Sequence, residues 1–150
     1  MNRVAIIGAS RFGMALAESL SEDGVEVLLV ERNGSLVQAA RNVVSSAVQG
    51  DATNARALED AGVTECDAAV VAIGANVEAS LLATANCKEL GVPTVISKAS
   101  SELHGRILKK IGADQVVFPD RESAYRLAHS VMDSESAAGD KQSDGSDPTA

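Results

Sequence analysis

The segment Arg3 to Gly13, Arg-Val-Ala-Ile-Ile-Gly-Ala-Ser-Arg-Phe-Gly, places the strongest constraint on the fold, because a short apolar run there meets a turn framed by two glycines. Val4 to Ile7 reads as a buried strand, and Gly8 to Gly13 as a turn into a helix whose free amides and positive dipole end can receive phosphate. A second apolar run, Val25 to Val30, ends on Glu31. That acid stands 23 residues after Gly8, close to the roughly 20 at which a carboxylate accepts hydrogen bonds from a ribose. The G-x-G-x-x-G pattern is incomplete, since Ser10 stands where a middle glycine lets backbone approach a pyrophosphate. A tight strand-to-helix turn needs glycine for packing alone, so the turn gains meaning only from strand, helix and terminal acid together.

Past this turn, apolar runs alternate with helical patterns. Val25 to Val30, Ala47 to Val48, Ala68 to Ile73, Thr94 to Ser97 and Gln115 to Phe118 read as strands. Arg11 to Ser21, Ser35 to Arg41, Ala55 to Ala61, Asn76 to Leu90 and Ser101 to Ile111 read as helices. Strands too apolar to face water on either side, alternating with helices, predict an α/β fold of the Rossmann type with a doubly wound parallel six-stranded sheet. Gly24, Gly62, Gly91 and Gly112 each follow a helical pattern, where a left-handed cap is wanted. An additional C-terminal helix is expected from about Arg121 to Met132, with Ala124, Leu127, Ala128 and Val131 on one stripe. That stripe packs either on its own sheet or against a second subunit. From Ser134 onward Ser, Gly, Asp and Pro dominate and no apolar residue exceeds Ala, so residues 133–150 are expected to form a disordered acidic tail.

Composition narrows the function classes. Hydrophobic residues make up 45% of the 150, enough for one core, but aromatics only 2%, which leaves few rings for stacking on single-stranded nucleic acid. The net charge is -8, and the stretch from Asp133 to Ala150 supplies half of it, so there is no basic field for DNA or RNA. No run of 18 apolar residues occurs, and neither direct membrane insertion nor a signal peptide is expected; the chain reads as soluble and cytosolic. Cys66 and Cys87 fit neither a zinc site nor a disulfide framework, and with His104 and His129 they form no nucleophile motif.

In a doubly wound sheet the ligand lies at the carboxyl ends of the strands, where strand order reverses between the first and fourth. Those ends carry Gly8 to Gly13; Glu31, Arg32 and Asn33; Gly50-Asp51-Ala52-Thr53; and Ile73-Gly74-Ala75-Asn76. Asp51 is placed to accept an adenine amino group, while Thr53 either caps the next helix, as Asn54 equally can, or binds. Gly74 and Ala75 are small enough for a ribose or phosphate to approach, and Asn76 either caps the following helix or touches the ligand. Arg11, at the dipole end that disfavours a cation, is either solvated or bound to a further phosphate. Lys98, and His104 on the next helix, lie on the same edge and either extend a positive rim or are simply exposed.

Gly8-x-x-Arg11-Phe12-Gly13, Gly50 to Thr53, Val71 to Asn76, Lys98-Ala99 through His104 to Asp114, and Phe118-Pro119-Asp120 together resemble the amino-terminal RCK domain, also called the TrkA-N or KTN domain. The similarity spans about residues 2 to 132 and is nearest to regulatory subunits of Trk and Ktr potassium uptake systems. It implies a cytosolic, non-catalytic protein, peripheral at the inner face of the membrane, that binds ATP/ADP or NAD(H). It also implies a homodimer or higher ring that gates a membrane potassium channel or transporter subunit. Under the resemblance, Arg11 meets the terminal phosphates of ATP, Glu31 and Asn33 hold the ribose, Asp51 lies by the adenine, and Asp120 serves a divalent cation. The nucleotide-binding set expected is Gly8, Ser10, Arg11, Phe12, Gly13, Glu31, Asn33, Asp51, Ala52, Thr53, Gly74, Ala75, Asn76 and Lys98. Ser10 replaces the family's glycine, Glu31 its common aspartate, and no carboxy-terminal RCK domain is expected beyond the domain at 1–132. The same turn and acid also serve NAD-dependent oxidoreductases, whose hydride transfer needs a substrate apparatus that 150 residues leave little room to build, and sensors acting on another partner.

Overall fold

The computed structural model describes residues 2–144. Strand and helix alternate as expected: β1 Arg3–Ile7, α1 Arg11–Glu22, β2 Glu26–Glu31, α2 Gly34–Ala40, β3 Ser46–Gln49, α3 Ala55–Ala61, β4 Ala68–Val71, α4 Val77–Glu89, β5 Thr94–Lys98, α5 Glu102–Ile111, β6 Gln115–Val117 and α6 Pro119–Asp144. The strands form one six-stranded sheet in the order β3-β2-β1-β4-β5-β6, and every neighbouring pair is parallel. Strand order therefore reverses between β1 and β4, as the Rossmann pattern requires. The registers Ile7 to Val30 and Ile7 to Val71 bring the three carboxyl ends to one edge.

Alternate residues of the same strands feed two cores. Ala5, Ile7, Leu28, Val30, Ala69 and Val71 pack with Leu58 of α3 and Ala83 and Cys87 of α4. Val4, Ile6, Val27, Leu29, Ala68 and Val70 pack with Ala17 of α1 and Ala40 of α2. Period-two alternation with both faces apolar is what a sheet covered on both sides demands, and it explains why these strands read as unbroken apolar runs. Each fully buried Ile or Leu among them contributes about 1.5–3 kcal/mol.

Boundaries moved where capping chemistry decides. Asn76 and Ser101 stand outside their helices as N-caps, accepting from Ala79 N–H and His104 N–H. A short 3-10 turn, Val63–Glu65, was not expected; Gly62 precedes it at φ 99, closing α3 in the left-handed conformation anticipated there.

Two compact units follow one another in the chain, one ending at Val117 and one beginning at Phe118. The second contains α6, whose first turn includes Pro119, a residue that costs nothing at a position where its missing N–H is unused. The helix does not stop near Met132 but continues to Asp144, through twelve residues expected to be disordered. That stretch contains no Pro to stop the helix, but Ser and Asp supply six of its twelve residues, so its composition alone does not mark it as helical. Residues 145–150 of the expected tail lie outside the described residues. The stripe Ala124, Leu127, Ala128 and Val131 is exposed along its length.

Candidate functional site

Gly8 leaves β1 at φ 104, and its N–H donates to Val30 O at 2.9 Å. A Cβ there would press on the Ala72 carbonyl and Ile73 N at 3.2 Å, and one on Gly13 would collide with the Gly8 carbonyl. Both glycines are thus required by close approach of β1, α1 and β4, independently of any ligand. Ser10 follows as N-cap of α1: its hydroxyl accepts from Gly13 N–H at 3.1 Å and donates to Ala72 O at 2.6 Å. Arg11, the first residue of α1, is exposed, and no acid stands in that first turn. Phe12 is half-buried and packs on the apolar cluster beneath α1.

At the end of β2, the half-buried Glu31 bridges two loops: Oε1 accepts from Ala9 N–H at 2.9 Å and Oε2 from Asn33 N–H at 2.6 Å. Asn33 caps α2 by accepting from Ser35 N–H at 3.0 Å. After β3, Asp51 accepts from Thr53 N–H and the Thr53 hydroxyl, at 3.0 and 2.7 Å. Those bonds, with help from the Arg32 charge, hold the Asp51 carboxyl below its usual range, so it is ionised at neutral pH. Thr53 is therefore not the cap; Asn54 is, accepting from Arg56 N–H. Buried Asn86 of α4 donates to Ala52 O at 3.0 Å and fixes this loop against α4.

These ends enclose a cleft of about 540 Å³, counting its open mouth. Of the expected residues, Gly8, Glu31, Asp51, Ala52, Thr53 and Asn76 line it. Ile7, Val30, Ile73 and Ala79 supply apolar wall, and Arg32 and Gly50 complete the rim. Sequence reasoning passed over the apolar wall because strand-end Ile and Val look like ordinary core. Ser10, Arg11, Phe12, Gly13, Asn33, Gly74, Ala75 and Lys98 are not part of this lining. Lys98 and Ser10 nevertheless both neighbour Gly74, where a Cβ would stand at ordinary contact distance, 3.5 Å from Lys98 Nζ and 4.0 Å from Ser10 Cβ.

His104 does not join a positive rim. It is buried, its Nδ1 accepts from Ser100 N–H at 3.0 Å, and its Nε2 stands 3.1 Å from Ser80 Oγ. A backbone N–H can only donate, which puts the ring proton on Nε2 and leaves the imidazole neutral. Burial lowers its pKa accordingly. Asp120 lies in the first turn of α6, in the second unit.

A family model described as the TrkA-N domain matches residues 4–119. The chain belongs to the TrkA-N domain family. Ktr system potassium uptake protein C of Bacillus subtilis (strain 168) is 42% identical over 128 residues, covering 85% of this TrkA-N chain and 58% of that protein. The chain spans less than two thirds of the length of the curated relatives it matches. Among solved structures, GsuK bound to ADP is similar at TM-score 0.70 and 26% identity, covering 85% of this chain and 33% of that one. The GsuK channel bound to NAD is similar at TM-score 0.67 and 19% identity, over 77% and 21% of the two chains, a likeness of fold alone.

Proposed function

We propose that this TrkA-N domain binds an adenine nucleotide in the cleft and signals which nucleotide it holds to a membrane potassium channel or transporter. The observation that carries the reading is Glu31, a carboxylate on the cleft wall held from both sides by the N–H groups of Ala9 and Asn33. Each carboxylate oxygen keeps acceptor capacity, and two ribose hydroxyls are the donors such a group suits. Ionised Asp51 takes the adenine amino group, and Ile7, Val30, Ile73 and Ala79 give the base its apolar surroundings. Phosphates then run toward the start of α1, where Arg11 and Lys98 supply charge.

Potassium uptake enters through the relatives, one of which is a Ktr potassium uptake protein. The domain acts as a peripheral, non-catalytic subunit at the inner face of the membrane, in a homodimer or larger ring. Among the described residues no helix is long and apolar enough to cross a membrane. A divalent cation at Asp120 finds no support in the geometry: among the described residues no group of three or more His, Cys, Asp or Glu side chains converges. A nucleotide shifts a conformational equilibrium only through unequal affinity for two states, which here means ATP reaching Arg11 with a phosphate that ADP lacks. The test is potassium flux of the assembled transporter at matched saturation with ATP and ADP, alongside both affinities. Flux should differ, and Arg11→Ala should weaken ATP about tenfold with ADP little changed; identical flux would reject the switch.

A further inference from the structure

Ala79, Ala83 and Asn86 share one face of α4 at helical spacing. Ala79 lines the cleft and Ala83 lies in the core, but Asn86 is a buried amide where an apolar side chain would serve burial better. Such a group needs a partner, and its Nδ2 finds one 34 residues away, donating to Ala52 O at 3.0 Å. Ala52 belongs both to the cleft lining and to the core cluster. Among the described residues this is the one hydrogen bond that ties residues 51–53 to anything beyond their own loop: the Thr53 N–H and hydroxyl turn back on Asp51, and the Asp51 carbonyl accepts from Asn54 N–H. Both Thr53 bonds fall on Asp51 Oδ1, which leaves Oδ2 for a donor in the cleft. The two purines differ at the atom such a carboxylate meets, since adenine offers its N6 amino donor where guanine offers the O6 acceptor. An ionised carboxylate only accepts, so it holds the first and repels the second, provided that the loop carrying it cannot retreat.

We infer that Asn86 is a positioning residue: by holding the Ala52 carbonyl it fixes the Asp51 carboxylate at the cleft, and so sets the preference of the site for adenine over guanine. The inference rests on the proposed function, which puts the adenine amino group at Asp51. Calorimetric titration with ADP and with GDP of the wild-type chain, Asp51→Ala and Asn86→Ala, each verified as folded, tests it. Wild type should bind ADP more tightly than GDP by about tenfold or more. Asp51→Ala, a change at an exposed side chain, should abolish that preference. Asn86→Ala should narrow it by about threefold or more, although Asn86 reaches the cleft only through Ala52. Asn86→Asp keeps the shape but loses the amide donor; it should act likewise, and it serves where Asn86→Ala does not fold. Loosened packing alone would weaken ADP and GDP alike, so the ratio separates positioning from a general loss of structure. A ratio left unchanged by the Asn86 variants overturns the inference while the proposed function stands. Equal affinity for the two ligands in wild type overturns it together with the placement of adenine at Asp51, and binding of neither by the folded wild type overturns the proposed function as well.

Discussion

His104 shows how burial decides a residue's role here. The neutral ring joins α5 to α4 through Ser80 and to its own N-terminal loop through Ser100, and protonation would set an Nδ1 proton against the Ser100 N–H. Its folded pKa lies below the ordinary 6.5, so the stability it contributes is fully present above about 6.5 and is lost as pH falls through the lowered value. Asp51, Asp67 and Asp114 are also lowered, from 3.8, and their contributions disappear only at more acidic pH. Urea titrations should therefore show stability declining below about 6.5 in wild type. In His104→Ala that decline should be blunted, with stability at neutral pH lower by about 1–3 kcal/mol because Ser80 and Ser100 lose their partner. An unchanged pH profile in the variant would refute this role. From sequence, His104 looked like part of a charged edge because position along the chain shows the edge but not the burial. That Glu31 stands on the cleft wall was legible from its place at the end of β2, whereas its two backbone donors were not.

Five helices begin from a side chain that accepts an N–H of its own first turn: Ser10, Asn33, Asn54, Asn76 and Ser101. Such caps are worth about 1 kcal/mol, and α3, only seven residues long, has little else to start it. Asn54→Ala should therefore cost about 1 kcal/mol in denaturant unfolding while leaving nucleotide affinity unchanged, because Asn54 is not part of the cleft lining. An unaltered midpoint would show that the cap contributes nothing. The strands and helices were legible because two-sided apolar runs and helical stripes have different periods. Thr53 and Asn54 were not separable, since both are cap formers and only the Asp51 turn, which takes the Thr53 hydroxyl, settles the choice. The extent of α6 was also hidden, because a polar run half made of Ser and Asp carries the composition of disorder.

Across the molecule, the site follows from topology: the reversal between β1 and β4 opens a crevice, and the four loops that follow β1, β2, β3 and β4 line it. That reversal was legible from the order of elements alone, and the family resemblance rested on motifs at those same strand ends. What the sequence concealed was how the crevice is held together, with Glu31 joined to the glycine turn and Ser10 tying that turn to the end of β4, because those links are hydrogen bonds between distant segments. The central claim is that the cleft lined by Glu31 receives adenosine through that carboxylate. Calorimetric titration with ADP of the wild-type chain and of Glu31→Ala, each verified as folded, tests it most directly. Saturable binding at one site per chain, weakened about tenfold or more in Glu31→Ala, is the predicted result; no uptake of ADP by the folded wild type at millimolar concentration, or equal affinity in the variant, would contradict it.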